Sequence, residues 1–166
     1  MKTWKKIILI LLLIFIVIQF FHPEPNRSEA APTNNITNFY RADENIQNIL
    51  KTSCYDCHSN NTRYPWYSKI EPVAWWLDDH IEEGKRHANY DAFGSYSLAR
   101  QYHVLEESID QVKKGEMPLG SYTLIHTESK LTDAQRQAFI NWFQSIRDTM
   151  KAKYPADSLK MPPRKR

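Results

Sequence analysis

The residues with the clearest capacity for chemistry stand together at positions 54 to 58. Cys54 and Cys57 are the two cysteines of the chain, and His58 directly follows the second of them. Residues three and four apart share one face of a helix, so both thiols and the imidazole can reach one flat ligand. This C-x-x-C-H spacing is typical of covalent c-type haem attachment, through two thioethers and with the histidine as proximal iron ligand.

Three other kinds of site use the same residue types. A structural zinc site needs about four ligands, and the sequence has no second cysteine pair to supply them. A thioredoxin-like redox pair expects a βαβ setting, whereas the pattern around the motif is helical. A structural disulfide leaves His58 without a role. The motif therefore favours haem c over these three kinds of site.

Met117 is the residue we expect at the sixth coordination position of the iron. It precedes Pro118, which disfavours helical geometry at Met117 and predicts a loop there. Thioether sulfur is a soft ligand, and histidine–methionine ligation raises the reduction potential of a haem. His80 is the rival ligand, because it falls on the apolar side of a predicted helix. The sequence also leaves open an ordinary packing role for Met117 and an iron whose sixth position is empty.

A cluster of aromatic and basic residues follows the motif and comprises Arg63, Tyr64, Trp66 and Tyr67. Aromatic rings can wall a porphyrin, and the phenol, indole and guanidinium groups can donate hydrogen bonds to its propionates. The same side chains would serve equally well as anchors of an apolar core. The sequence leaves both roles open.

Apolar side chains recur at helical spacing in four segments, which predicts four helices. We expect these helices to position the residues named above. The first runs from about residue 43 to 53 and delivers the chain into Cys54. The second begins near Pro72, the third covers about 97–114, and the fourth begins at Thr132. The inner stripe expected for the second helix comprises Val73, Trp76, Leu77, His80, Ile81 and Gly84.

The ends of two of these helices are marked by local chemistry. Thr132 and Gln135 form a capping-box pattern at the start of the fourth helix, and Gly115 is expected to end the third. No alternating strand pattern rises above noise. We therefore predict an all-α fold, with a small cytochrome c-like domain of about four helices.

Taken together, these segments resemble the bacterial haem-binding domain family, whose members combine an N-terminal membrane segment with one C-x-x-C-H, and more broadly the c-type cytochromes. The resemblance covers about residues 39–143. It implies binding of one covalent haem and electron transfer, and it implies no particular partner. The segments that carry it are Cys54-Tyr55-Asp56-Cys57-His58, Arg63-Tyr64-Pro65-Trp66-Tyr67-Ser68, Pro72-Val73-Ala74-Trp75-Trp76, Gly115-Glu116-Met117-Pro118, Leu131-Thr132 and Asn141-Trp142-Phe143.

The N-terminal segment is apolar from Ile7 to Phe21, with Gln19 as the one polar residue, and three lysines precede it. Counted from Trp4, its length is near the lower limit for crossing a bilayer. The lysines predict that the N-terminus stays inside and the rest lies outside. We expect a membrane anchor over residues 4–21, with cleavage of a signal peptide near residues 28–30 as the alternative. Either outcome exports the body, to the periplasm in a bacterium, which suits haem attachment through cysteines.

The predicted organisation has four parts. Residues 1–21 form the anchor or signal peptide, 22–40 a proline-containing flexible tether, 41–154 the haem-binding domain, and 155–166 a disordered basic tail. The net charge of +3 arises at the two ends, since acidic side chains outnumber basic ones 19 to 15 between residues 7 and 159. This balance argues against nucleic acid as a partner.

The function expected from the sequence is one-electron transfer by a membrane-tethered monohaem cytochrome, not enzymatic turnover, although weak peroxidase activity is compatible with it. Two further hypotheses concern different classes of protein. One is a haem peroxidase or a gas or redox sensor with an open iron site. The second is a non-haem module that holds a metal ion at the C-x-x-C-H motif. The membrane, contacted through residues 4–21, is the expected partner, and the sequence points to no particular redox protein.

Overall fold

The computed structural model describes residues 2–162, and within this range the chain forms eight α-helices and no β-strand. The predicted all-α class is confirmed. Short 3₁₀ turns cover Trp66–Lys69, Tyr90–Ser95, Thr127–Ser129 and Ala156–Leu159. The helices are α1 (Thr3–Ile18), α2 (Ile36–Phe39), α3 (Glu44–Ser53), α4 (Tyr55–His58), α5 (Val73–His87), α6 (Leu98–Lys114), α7 (Gly120–Ile125) and α8 (Asp133–Lys153).

The four predicted helices correspond to α3, α5, α6 and α8, and their ends show the expected chemistry. Thr132 begins α8 with a capping box, in which its side chain accepts from Gln135 N–H and the Gln135 side chain accepts from Thr132 N–H. Gly115 ends α6 at a φ of 77°, a left-handed conformation that favours glycine. The local sequence therefore specified where these two helices begin and end.

The apolar core lies where α6 and α3 pack on α8. Phe139 and Phe143 stack on the inner face of α8, with their ring centroids 4.1 Å apart. The largest fully buried apolar side chains are Ile36, Ile49, Leu50, Ile81, Phe93, Val104, Leu105, Phe139, Phe143 and Met150. This core gives α3 a fixed position, and α3 leads directly into Cys54.

Helix α5 is rotated relative to the predicted inner stripe. It buries Ala74, Leu77 and Ile81, whereas Val73 and Trp76, which we expected inside, are 38% and 47% exposed. The prediction was wrong because alanine contributes little hydrophobicity to a helix face. The larger Trp76 therefore made the neighbouring face of α5 look like the buried one. Apolar side chains near the start of α5 consequently face outward.

Helix α1 has no buried residue, and its 16 residues end at Ile18, before the apolar run of the sequence is complete. Gln19 leaves the helix and pairs with the backbone of Glu71, its Nε2 donating to the carbonyl at 3.1 Å and its Oε1 accepting from the N–H at 3.0 Å. No helix among residues 2–162 is long and apolar enough to cross a membrane. The predicted transmembrane helix is thus not supported.

The packed body extends beyond residues 41–154 at both ends. Ile36 is fully buried in the core, and Leu159 packs in the same cluster. Asn26, in the predicted tether, donates its N–H to the hydroxyl of Tyr64 at 2.7 Å and its side chain to Ser59 O at 3.0 Å. Residues 163–166 of the predicted tail lie outside the described range.

Candidate functional site

The C-x-x-C-H motif forms a single helical turn directly after α3. The carbonyl of Cys54 accepts from the N–H groups of Cys57 at 3.2 Å and His58 at 2.9 Å, which closes the turn. Both cysteines are free thiols. Burial raises the pKa of Cys54 to about 12 and that of Cys57 to about 11, so both side chains are protonated at neutral pH.

The imidazole of His58 is held in one orientation by the end of α5. Its Nδ1 lies 2.8 Å from the carbonyl oxygen of Ala88, and because a carbonyl can only accept, Nδ1 carries the proton. The lone pair is therefore on Nε2. Burial also lowers the pKa of His58, which keeps the ring neutral. Metal-binding histidines in proteins commonly donate their second ring nitrogen to a carbonyl in this way.

A glycine lets α5 approach the motif closely enough for this contact. A Cβ atom added to Gly84 would lie 2.7 Å from the carbonyl oxygen of Cys57 and 3.1 Å from its Cβ. No side chain fits in that space without moving the backbone. Because Ala88 follows α5 directly, the close packing at Gly84 also brings the Ala88 carbonyl to His58.

A cavity of about 370 Å³ opens beside the motif, a size within the range of small-molecule and cofactor sites. Apolar side chains line its inner part, among them Val112, Leu131 and Phe139. The chemically reactive lining residues include Cys54, Cys57, His58, His80, Glu83, His87, Glu107 and Met117. The cavity thus combines an apolar interior with two thiols, a thioether and imidazoles.

Both candidates for the sixth iron ligand reach this cavity. Met117 lies on the loop between α6 and α7, as its proline neighbour predicted, and lines the same space as the motif. His80 also lines it, and its Nδ1 lies 2.8 Å from Trp76 O, which leaves Nε2 with the lone pair. Which of them binds iron stays a prediction.

His87 is a lining residue that the sequence reasoning missed. It is exposed, yet it lies on the cavity wall together with Glu83. The available clue was spacing, because His87 follows His80 by seven residues, two helical turns, and so shares its face of α5. The cavity therefore has a polar, titratable rim on its α5 side.

The predicted aromatic and basic cluster lies elsewhere. Within the described part of the chain, the cavity lining includes none of Arg63, Tyr64, Trp66 and Tyr67. The hydroxyl of Tyr67 is 2.6 Å from Nε2 of His126, and Trp66 is 76% exposed. Their contact with a haem stays a prediction.

Arg63 instead approaches the site through Asp56, inside the motif. Oδ1 of Asp56 accepts from the backbone N–H and the Nε of Arg63 at 3.1 Å each, and Oδ2 accepts from its second guanidinium nitrogen at 3.0 Å. The hydroxyl of Tyr122, on α7, also donates to Oδ2 at 2.6 Å. These bonds join the motif to the segment that follows Met117.

The donor set of the cavity fits a haem. Two thiols one helical turn apart, a neutral histidine with a free Nε2 and a thioether share a largely apolar space. Among residues 2–162, no group of three or more His, Cys, Asp and Glu side chains is arranged to hold a metal ion.

Comparison with known proteins bears on the same question. A family model described as "Haem-binding domain" matches residues 13–145 of the chain. No curated protein and no solved structure matches. The matched range contains the motif, the cavity and the loop that carries Met117.

Proposed function

The chain belongs to the haem-binding domain family, and from this premise we propose that it carries one covalent c-type haem and transfers single electrons. The observation that supports the proposal best is the shared cavity of Cys54, Cys57, His58 and Met117. A protein of this kind acts as an electron carrier, not as an enzyme.

The two thiols are the groups that would attach the cofactor. Each S–H would add across a vinyl C=C bond, with sulfur bonding to one carbon and hydrogen to the other, so that no group leaves. Cys54 and Cys57 are suited to this because they are unpaired and on one turn of helix. Burial keeps both in the thiol form.

His58 would hold the iron through Nε2, while its Nδ1–H stays on Ala88 O. When bound, the haem supplies an iron that gains and loses one electron, and the chain's residues adjust its potential. Met117, on the loop between α6 and α7, would provide a second ligand to the iron from the wall of the same cavity. The apolar interior formed by Val112, Leu131 and Phe139 would limit the access of water.

The attachment can be tested on protein produced in a host with a cytochrome c maturation system. We expect a c-type pyridine haemochrome spectrum and haem that stays with the chain in a denaturing gel. The Cys54→Ala, Cys57→Ala double variant should lose haem under the same denaturing conditions. Covalent haem in the double variant, or a b-type spectrum in the parent protein, would contradict the proposal.

The axial ligand can be tested with two single variants. Met117→Ala should abolish the methionine-to-iron charge-transfer band of the oxidised protein and lower its reduction potential, because a soft ligand is lost. His80→Ala is the matched control, since it removes the other candidate ligand from the same cavity. A changed spectrum in the His80 variant alone would assign bis-histidine ligation instead.

The polar rim of the cavity supports a second candidate function. His80, Glu83, His87 and Glu107 bring acid–base groups to the same space as the motif. With an open sixth position, these groups would favour peroxide chemistry or gas sensing. A high-spin spectrum and rapid binding of carbon monoxide by the reduced parent protein would support this candidate, whereas a low-spin spectrum would reject it.

We also propose that the haem domain works outside the cytoplasmic membrane and that α1 attaches it there. The proposal has two grounds. The side chains of α1 from Ile7 to Val17 are apolar and exposed, and three lysines precede them. A helix that is apolar on every side needs an apolar environment. Fractionation of the native host, with protease access to the intact cell envelope, tests this location.

A further inference from the structure

Six large apolar side chains are exposed in the two segments that meet at Glu71, residues 20–21 and 70–76. They are Phe20, Phe21, Ile70, Val73, Trp75 and Trp76, and we call them the tryptophan face. Their exposed fractions range from 37% to 80%. Such a concentration of exposed aromatic and aliphatic groups marks a binding surface more often than an incidental feature.

The tryptophan face is one surface because Glu71 joins its two parts. Besides the Gln19 pairing with its backbone, the Glu71 carboxylate accepts from the backbone N–H of Trp75 at 3.1 Å and lies 2.9 Å from Nδ1 of His22. The indole Nε1 of Trp75 donates to the carbonyl of Phe21 at 2.6 Å. Glu71 is fully buried within these contacts, so the end of α1 is held against the start of α5.

The same surface continues into α1. The side chains from Ile7 to Val17 are all exposed, and the helix has no buried residue. The junction at Glu71 places Phe21, three residues after the end of α1, beside Trp75. An apolar environment that surrounds α1 must therefore also lie close to the tryptophan face.

We propose that the tryptophan face rests on the surface of a lipid bilayer, at the level of the headgroups, beside the point where the chain leaves α1. Tryptophan suits this position because its ring is apolar while its N–H is polar, and it is enriched at membrane interfaces. The acidic side chains of Asp79 and Glu82, further along α5, are exposed and mark where the contact ends. The occupant is a lipid surface, bound through apolar contact and not through charge.

This orientation has a consequence for the haem cavity. The ring of Trp76 lies 4.3 Å from the ring of His80, which lines the cavity. The α5 side of the cavity would then lie close to the bilayer surface. Redox partners embedded in the membrane would reach the haem from that side.

The experiment uses the full-length, haem-loaded protein in phosphatidylcholine vesicles that contain a lipid with a photoreactive acyl chain. After illumination and trypsin digestion, mass spectrometry compares two peptides of the body. Residues 70–85 carry most of the tryptophan face, and residues 115–130 carry Leu124 and Ile125, which are 80% and 61% exposed. The second peptide is the internal control for exposed apolar side chains away from Glu71.

We expect lipid adducts on the 70–85 peptide to exceed those on the 115–130 peptide several-fold, with little dependence on salt. A Val73→Ser, Trp76→Ser double variant should lose this excess, and a Leu124→Ser, Ile125→Ser variant should keep it. Equal labelling of both peptides, or labelling of α1 alone, would overturn the inference. So would protein–protein adducts at 70–85, which would assign the surface to a second copy of the chain. The haem spectrum of each sample shows separately whether the cavity is loaded.

Discussion

The hydroxyl of Tyr122 donates a 2.6 Å hydrogen bond to Oδ2 of Asp56, a residue 66 positions earlier in the chain. Asp56 is one of the two residues between the motif cysteines, and Tyr122 is on the helix that follows Met117. Arg63 balances the charge of the carboxylate through three further bonds. This contact ties the two parts of the chain that carry the proposed iron ligands.

Removal of the Tyr122 hydroxyl should weaken this connection between the motif and α7. Tyr122→Phe keeps the ring, which stacks on His126 at 4.5 Å, and deletes the bond to Asp56. We expect the free energy of unfolding to fall by about 1 kcal/mol, because Arg63 still pairs with the carboxylate. Chemical denaturation of the haem-loaded protein measures this loss. Tyr154→Phe, at the end of α8, is the control, and equal stability of Tyr122→Phe and the parent would contradict the prediction.

The contact between α4 and α5 should be sensitive to one methyl group. Gly84→Ala places a Cβ atom 2.7 Å from the Cys57 carbonyl, so the two helices must separate. Overpacking of this kind costs about 1–3 kcal/mol, and alanine in a helix returns up to about 1 kcal/mol. We expect a net loss of stability and less haem per chain, measured by thermal unfolding and by haem content.

Gly120→Ala is the matched control for that variant. A Cβ atom at Gly120 meets nothing within 4 Å, so the substitution changes helix propensity without steric conflict. We expect stability equal to or above that of the parent. A Gly84→Ala protein as stable as Gly120→Ala would show that the motif and α5 do not pack as described.

The haem-free chain should protect its thiols from alkylation. Because the pKa values of Cys54 and Cys57 are raised to about 12 and about 11, few thiolates exist at pH 8, and only the thiolate reacts with iodoacetamide. Relative to an ordinary cysteine with a pKa near 8.5, the reaction should be slower by roughly a hundredfold or more. The rate at both cysteines should rise with pH, because the thiolate fraction rises. Mass spectrometry at increasing pH, with the denatured chain as control, measures this, and equal rates in both states would contradict it.

The turn at Gly115 should direct the loop that carries Met117. Its φ of 77° lets the N–H groups of Glu116 and Met117 both approach the carbonyl of Gln111, at 3.0 Å and 3.3 Å. Gly115→Ala strains this conformation, and we expect a loss of about 1 kcal/mol in unfolding free energy. Thermal unfolding measures it, and the charge-transfer band reports whether the loop has moved. An unchanged melting temperature would mean that the loop does not need the left-handed turn.

Local features of the chain were predictable because their chemistry is contained in a few neighbouring residues. The Thr132–Gln135 capping box, the glycine at the end of α6 and the helical turn at Cys54 each depend on residues no more than four apart. The loop at Met117 follows from Pro118 in the same way. A family resemblance carried by such segments was sufficient to identify the haem-binding domain.

Contacts that depend on how helices pack were not predictable. The rotation of α5 depends on whether Ala74 or Trp76 meets the core, and the hydrophobic pattern favours the larger side chain. The Asp56–Tyr122 bond joins residues far apart in sequence, and neither residue has a spacing that marks it. The spacing of His80 and His87 puts them on one face of α5, but whether that face meets the cavity depends on how α5 is rotated.

The shared core position of Ile36 and Leu159 also bears on how this domain could be transplanted. A protein engineer who grafted residues 41–154 into a fusion would leave both side chains behind and uncover the core at two places. Cuts outside 36 and 159 would preserve the packed unit. The segment that can be transferred as a folded unit is therefore longer than the segment that carries the cofactor-binding residues.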